Sequence, residues 1–320
     1  MTTPPLLDVE NLKVYYHTVA GEAKAVDGVS FKIDGNEMLG IVGESGCGKS
    51  TLAIALMKLT TFPAYIKAGS VMLEGQDLLG LSEEAIRDLR WRRISYVPQS
   101  SMNALNPILR IRDQIADAIS AHENVPREEM DKRIAEALDM VGLSPDVARM
   151  YPHELSGGMK QRTIIAMAIV LKPKMCILDE PTTALDVVVQ KGVLQSIKYI
   201  CETLGMSSIL ITHDIAIQAQ MVERLAVIYA GKIVEIGKTD SLFHDPLHPY
   251  TKALMSATPS LGKNISLRGL AGLPPNLLDP PAGCRFHPRC SSVSEQCKSK
   301  EPALSEVESG HFVACALCGR

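Results

Sequence analysis

The sequence has no strong excess of one charge and no long apolar run, and its first residues do not predict an apolar leader. Its 320 residues include 33 Lys and Arg against 36 Asp and Glu, so the formal net charge is −3. Such a balanced charge does not favour nucleic acid or an anionic membrane surface as a partner. The apolar runs, such as Ile164 to Leu171, are far too short to span a bilayer, and Met1 to Pro5 lacks the features of a secretory signal. We expect any membrane role to depend on a partner protein.

Cysteine is scarce until the end of the chain. Gaps of five, six and seventeen residues separate Cys284, Cys290, Cys297 and Cys315, which is neither the tight spacing of a zinc finger nor a common ferredoxin spacing. Proline is frequent after about residue 245, so we predict a loop-rich tail. Four thiols in a segment with little core suggest a metal that staples the tail, with zinc and unligated thiols as alternatives. Cys318 could replace Cys315 as the fourth ligand.

The chain is organised around Gly43-Glu44-Ser45-Gly46-Cys47-Gly48-Lys49-Ser50. This is the P-loop pattern G-x-x-x-x-G-K-[ST], in which a glycine-rich turn points backbone N–H groups at phosphate. The apolar segment Met38 to Val42 precedes it, and a helix is predicted to follow, whose positive end adds to the site. We predict that Lys49 reaches the β- and γ-phosphates of a nucleotide and that Ser50 binds Mg²⁺. Cys47 is interpreted as a small filler rather than a redox switch.

Polar residues follow several predicted strands. Apolar strands alternate with helices, which indicates a mostly parallel sheet with helices on both faces; the strands are predicted at 37–42, 94–98, 174–178, 207–212 and 225–230. Just after three of these strands come Gln99, Asp179 with Glu180, and His213. Ligands bind at the carboxyl ends of such strands, so we expect these residues and the P-loop to form one ATP site. Asp179 is predicted to hold Mg²⁺, and Glu180 to polarise the attacking water.

Two other regions flank this pattern. Residues 6–17 are predicted to form an edge strand and Val29 to Ile33 another strand, and Tyr16 could either stack on adenine or pack in the core. Residues from about 105 to 172 have helical spacing and are predicted to form an inserted helical subdomain. Ser156-Gly157-Gly158 opens an apolar helix there, which makes a second helix N-terminus suited to an anion. Two phosphate sites imply either two ligands or one ligand held between two copies.

In their order, the motifs resemble those of ABC transporter ATPase subunits over residues 6–240. The P-loop, Gln99, Leu155 to Gln161, Asp179-Glu180, Ala184-Leu185-Asp186 and His213 look like that family's Walker A, Q-loop, signature, Walker B, D-loop and H-loop. The resemblance implies that two cassettes pair head to tail and that each ATP lies between one P-loop and the signature of the other cassette. It also implies that Gln99 and the segment Ser100 to Pro107 link the site to a membrane subunit.

The resemblance assigns roles to individual residues of this chain. The catalytic residues that it implies are Lys49, Gln99, Glu180 and His213, and the Mg²⁺ ligands are Ser50, Gln99 and Asp179. The nucleotide-binding residues that it implies are Tyr16, Gly43, Glu44, Ser45, Gly46, Cys47, Gly48, Lys49, Ser50, Thr51, Gln99, Asp179, Asp186 and, for ATP on the partner, Ser156, Gly157 and Gly158.

A narrower resemblance points to the dipeptide and oligopeptide permease branch. It rests on Glu180 to Val187, on Ala230 to Glu235, and on the tail stretches His248 to Leu254 and Gly283 to Cys290. In that branch the matching cysteines bind a [4Fe–4S] cluster in some members, which implies the ligands Cys284, Cys290, Cys297 and Cys315. Glu223 stands where an Asp is usual, and Val188-Val189 varies the segment after the D-loop.

Together these features predict an α/β ABC cassette of the P-loop NTPase class over residues 1–244, with a loop-rich extension over 245–320. The resemblance implies an ATPase that powers peptide import from the cytoplasmic face of the cell membrane. Its expected partners are a second ATPase subunit, which we expect to be a different chain, two membrane permease subunits and, indirectly, an extracellular solute-binding protein. The alternatives are an oligosaccharide or nickel importer, a soluble ABC-type ATPase, and an iron–sulfur-dependent regulator.

Overall fold

The computed structural model describes residues 4–99, 103–256, 270 and 272–318. Its strands are β1 (Leu7–Thr18), β2 (Gly21–Ile33), β3 (Met38–Val42), β4 (Ala64–Leu73), β5 (Gln76–Asp77), β6 (Ile94–Val97), β7 (Met175–Asp179), β8 (Ser207–Ile211), β9 (Arg224–Tyr229), β10 (Lys232–Lys238), β11 (Ser305–Glu308) and β12 (His311–Val313). Its α-helices are α1 (Lys49–Leu56), α2 (Glu83–Leu89), α3 (Ile111–Ser120), α4 (Arg127–Met140), α5 (Gly157–Ile169), α6 (Val187–Leu204), α7 (Ile215–Met221), α8 (Thr239–His244), α9 (Pro249–Ser256) and α10 (Glu295–Ser299).

The chain forms two compact units. The first contains Met1–Ile33, Met38–Leu79 and Thr212–Arg320, and the second contains Asp34–Glu37 and Gly80–Ile211. No helix in the described ranges is both long enough and apolar enough to cross a bilayer.

The first unit contains an antiparallel sheet in the order β2-β1-β4-β5. Leu7 of β1 is opposite Ile33 of β2 on one side and Leu73 of β4 on the other. The prediction of an edge strand over 6–17 was therefore wrong, because β1 is paired along both sides. Residue Leu7 is completely buried, as expected for an interior strand.

The first unit also contains the strand that leads into the P-loop. Strand β3 pairs in parallel with β9, which is followed in an antiparallel arrangement by β10, β12 and β11. All five residues of β3 are buried. The tail was predicted to be loop-rich, yet two of its segments form strands that extend this sheet beyond β10.

The second unit is built on three parallel strands in the order β8-β7-β6. Every residue of β7 and β8 is buried, which explains why both are apolar or uncharged along nearly their whole length. Helices α3, α4 and α5 lie within the predicted helical insertion. The fold class was confirmed: parallel strands alternate with helices, and the N-terminal strands are antiparallel.

Candidate nucleotide site

The P-loop is a tight turn whose geometry requires glycine at defined positions. Gly48 has φ of 104° and forms the N-cap of α1, a left-handed conformation that side chains disfavour. A Cβ at Gly48 would lie 2.0 Å from the carbonyl oxygen of Ala25, and one at Gly43 would lie 2.1 Å from that of Ile228. The loop therefore packs against neighbouring backbone and leaves Ser45 and Gly46 exposed.

Lys49 is held inside this loop. Its Nζ donates to the carbonyl oxygens of Gly43 at 2.8 Å and Glu44 at 3.0 Å, and to Cys47 Sγ at 3.7 Å. Burial raises the pKa of the Cys47 thiol, although Lys49 acts in the opposite direction. Cys47 is thus a protonated, buried thiol at neutral pH, in agreement with its interpretation as a filler rather than an activated nucleophile.

Tyr16 lies beside the start of α1. Its hydroxyl is 3.1 Å from Thr51 Oγ1, and the residue is half-buried. The structure therefore brings Tyr16 and the predicted phosphate-binding stretch together within the first unit. His213 also belongs to this unit, where it is exposed and directly precedes Asp214, the N-cap of α7.

Strand β7 of the second unit ends at an acidic residue, Asp179, and a second one, Glu180, follows it. Asp179 is completely buried, and Tyr96 donates its hydroxyl to Asp179 Oδ2 at 3.2 Å. Burial, followed by the charge of Asp179, raises the pKa of Tyr96, so this hydroxyl keeps its proton and remains a donor. A buried carboxylate of this kind has the oxygen chemistry that Mg²⁺ prefers.

Glu180 follows Asp179 in a left-handed conformation, with φ of 47°. Its Oε2 accepts hydrogen bonds from Gln99 Nε2 at 2.8 Å and from Thr183 Oγ1 at 2.9 Å. The structure thus joins two predicted site residues, Gln99 and Glu180. The contributions of Tyr96 and Thr183 were not predicted. Thr183 lies three residues from Glu180, which could have served as a signal, whereas Tyr96 lies 83 residues from Asp179 and no local pattern connects the two. Of the predicted link after Gln99, Ser100 to Met102 lie outside the described residues.

The predicted signature opens α5 in the second unit. Ser156 is the N-cap, and its hydroxyl accepts the N–H of Met159 at 3.3 Å. Ser156 and Gly157 are exposed, whereas Gly158 is buried against Val189. A Cβ at Gly158 would lie 2.3 Å from Val189 Cγ1. Asp186 accepts the N–H groups of Val188 at 3.1 Å and Val189 at 3.0 Å. The signature and Asp186 therefore lie side by side at two helix N-termini.

The structure does not support the predicted iron–sulfur site. Burial and the neighbouring thiols of Cys297, Cys315 and Cys290 raise the pKa of Cys284 to about 11, so these thiols are near one another and Cys284 is protonated. All eight cysteines lie within the described residues, and none of them forms a disulfide. Across residues 4–99, 103–256, 270 and 272–318, no three His, Cys, Asp or Glu side chains are grouped so that they could hold a metal ion. The four thiols share a region but do not form a ligand set.

The P-loop, the buried acid that ends β7 and the sheet topology define a P-loop NTPase of the ABC cassette class. The protein-family model described as "ABC transporter" matches residues 26–183 of the sequence. A second family model, described as "Oligopeptide/dipeptide transporter, C-terminal region", matches residues 234–297. Dimeric structures of the ATP-binding cassette MJ0796 align with TM-scores of 0.65 and 0.66 at 28% identity, covering 73% of this chain and 98% of that cassette.

Full-length relatives give a more specific assignment. The dipeptide transport ATP-binding protein DppD of Caldanaerobacter subterraneus is 41% identical over 98% of this chain and 97% of its own length. The oligopeptide transport ATP-binding protein OppD of Bacillus subtilis is 41% identical over 96% and 87%, and DppD of Escherichia coli is 38% identical over 97% and 96%. The chain belongs to the dipeptide/oligopeptide family of ABC transporter ATP-binding subunits, which are ATP-hydrolysing enzymes.

Proposed function

We propose that this chain hydrolyses ATP to power the import of dipeptides or oligopeptides. The observation that carries the proposal is the joint match to a cassette model and to the C-terminal region of peptide transporters, together with relatives named for peptide transport along nearly the whole chain. The division into a cassette over 1–244 and an extension over 245–320 remains a prediction.

We assign the chemical roles as the family resemblance implies. Residues Gly43 to Thr51 bind the phosphates, Tyr16 stacks on adenine, and His213 contacts the γ-phosphate. Mg²⁺, with Ser50, Gln99 and Asp179 as ligands, would offset charge that develops on the phosphoryl group. Glu180 orients the attacking water and accepts its proton, while Gln99 and Thr183 fix the carboxylate through hydrogen bonds to Oε2.

The second half of each ATP site comes from another cassette. We propose that Ser156, Gly157 and Gly158, with Asp186 beside them, contact ATP bound to a partner subunit. Support comes from the exposure of Ser156 and Gly157 and from the dimeric state named for the MJ0796 cassette. The partner is expected to be a different chain, and two permease subunits and a solute-binding protein complete an importer. The chain then lies at the cytoplasmic face of the membrane.

Peptide uptake tests the substrate. In cells that lack the gene, uptake of labelled di- and oligopeptides should fail, return with the wild-type gene, and remain absent with Lys49→Ala. Unchanged peptide uptake together with loss of oligosaccharide or nickel uptake would replace the peptide assignment by one of those alternatives. Absence of membrane subunits from an affinity purification of the tagged chain would favour a soluble ATPase or a regulator.

A cluster in the tail remains a separate prediction. It is supported by the mutual proximity of Cys284, Cys290, Cys297 and Cys315, while the absence of a ligand set among the described residues counts against it. Anaerobic purification followed by iron, sulfide and zinc analysis decides the question. About four iron and four sulfide per chain are expected for a cubane cluster, and an absence of all three elements would refute it.

A further inference from the structure

The C-terminal extension contacts the P-loop at Glu44. The Arg289 guanidinium binds both carboxylate oxygens of Glu44, with Nη1 2.7 Å from Oε2 and Nη2 2.9 Å from Oε1. The hydroxyl of Tyr250 accepts the backbone N–H of Glu44 at 2.9 Å. We call these contacts of Arg289 and Tyr250 the Glu44 clamp. Arg289 is 245 residues from Glu44 in the sequence, so the clamp depends on how the tail folds back.

Glu44 in turn contacts the P-loop lysine. Its carbonyl oxygen accepts from Lys49 Nζ at 3.0 Å and from the N–H of Cys47 at 3.3 Å. The side chain, N–H and carbonyl of one residue are thus all engaged, the first two by the tail and the third by the loop interior. A shift of Glu44 would move a carbonyl that holds the Lys49 ammonium.

The clamp is built from Arg289 and Tyr250, which are both buried. The Arg289 side chain is 6% exposed, and it also donates to the Tyr229 hydroxyl at 3.3 Å and lies 5.8 Å from the centre of that ring. Tyr229 and Tyr250 are in ring contact at 4.6 Å, and Phe286 packs on both. The two-point geometry and the aromatic support fix the guanidinium in one orientation.

The clamp also solves an electrostatic problem. A carboxylate within a phosphate-binding loop repels the nucleotide unless a cation compensates it, and Arg289 supplies that cation at a partly buried position. The carboxylate of Glu44 raises the pKa of Arg289 further above its ordinary value, so the guanidinium is charged at every working pH.

We propose that Arg289 and Tyr250 are positioning residues of the nucleotide site. The tail holds Glu44, neutralises its carboxylate and thereby fixes the carbonyls that orient Lys49 for ATP. This inference rests on the assignment of the P-loop as an ATP site, but it does not depend on which solute is transported. It gives the C-terminal extension a direct part in ATP binding.

The test measures affinity for Mg·ATP by calorimetry on the purified full-length chain. Arg289→Gln should weaken binding about tenfold, as expected for the loss of a charge-assisted hydrogen-bonded pair. Tyr250→Phe, which preserves shape and removes only the acceptor, should weaken binding about threefold. In Arg289→Gln/Glu44→Gln, affinity should return to within about twofold of Glu44→Gln alone, since no unpaired carboxylate remains.

Arg285→Gln is the matched control. Arg285 comes from the same tail segment and is also 6% exposed, but it pairs with Asp27 and donates to the carbonyl oxygen of Ala230 at 2.5 Å. This variant should lower the unfolding temperature while ATP affinity stays within about twofold of wild type. Equal losses of affinity in Arg285→Gln and Arg289→Gln, or wild-type affinity in Arg289→Gln, would overturn the proposal. If Arg289→Gln does not fold, wild-type affinity in Tyr250→Phe would overturn it as well.

Discussion

The P-loop and the signature are two helix N-termini that the fold treats differently. In the P-loop, Gly48 has no side-chain cap, and Lys49 and the clamped Glu44 complete the loop from within the chain. In the signature, Ser156 caps its own helix, and its hydroxyl and Gly157 are exposed. The P-loop is thus completed by its own chain, whereas the signature leaves its helix start exposed, as the proposed contact with ATP on a partner subunit requires.

Removal of the P-loop ammonium should have the largest effect. In Lys49→Ala, ATP hydrolysis should fall about a thousandfold or more, because the positive charge at the β- and γ-phosphates is lost. ATP affinity should fall in the same variant, measured by calorimetry on the isolated chain. If affinity and turnover were both retained, the P-loop would not be the phosphate site.

A bulky charge at the signature should separate the two sites. Ser156→Arg should reduce hydrolysis by the assembled transporter about 100-fold, while ATP affinity of the isolated chain stays within about threefold. Ser144→Arg is the control, since Ser144 is also an exposed N-cap in the second unit, where it accepts the N–H of Asp146 at 3.3 Å. A loss of affinity in the isolated Ser156→Arg chain would place the signature in the same site as its own P-loop.

Acid should lower the free energy of unfolding through His248, which neighbours the clamp residue Tyr250. Burial lowers the pKa of His248 to about 4, and its Nδ1 accepts the N–H of Tyr250 at 3.0 Å, so the folded state requires a neutral ring. The unfolded chain takes up this proton near pH 6.5, so stability is full above that pH and is lost as pH falls towards 4. The free energy of unfolding falls by about 3 kcal/mol over this pH range.

The His248→Gln variant checks this contribution through the free energy of unfolding, measured by urea titration between pH 7 and pH 4. Its stability should fall less steeply than that of wild type, because the amide cannot take up a proton. Glu235, which accepts the backbone N–H of His248 at 2.9 Å, is retained in both proteins. Parallel pH profiles would show that His248 does not titrate in this window.

Substitution of Tyr16 should have the smallest effect on the P-loop site, measured as ATP affinity. Tyr16→Ala should weaken ATP binding about tenfold through the loss of base stacking, and GTP binding to a similar extent, because stacking tolerates any base. Tyr16→Phe removes only the contact with Thr51 Oγ1 and should stay within about twofold of wild type. Equal affinity in all three proteins would return Tyr16 to a core role.

Local patterns were enough to predict much of the cassette. The strand before the P-loop and the acids Asp179 and Glu180 at the end of β7 each follow from residues that are neighbours in sequence. The pairing of β1 on both sides could not be predicted, because its second neighbour, β4, begins 46 residues after β1 ends. Likewise, the composition of the tail could not reveal that β12 pairs with β10.

The site shows the same limit. The phosphate-binding pattern predicts Lys49, and an apolar strand before two acids predicts Asp179 and Glu180. The ion pair of Glu44 with Arg289 joins residues that no local pattern connects. Conversely, four thiols in a tail with little core suggested a metal site, but burial and proximity of thiols do not by themselves produce converging ligands.

One measurement tests the central claim most directly: ATP turnover and ATP retention by the transporter purified through a tag on this chain, compared between wild type and Glu180→Gln. The amide preserves an acceptor for Gln99 and Thr183 but removes the charge that polarises water. The variant should retain ATP in a closed dimer while turnover falls at least about 100-fold. Near-normal turnover in Glu180→Gln would contradict the proposed catalytic role.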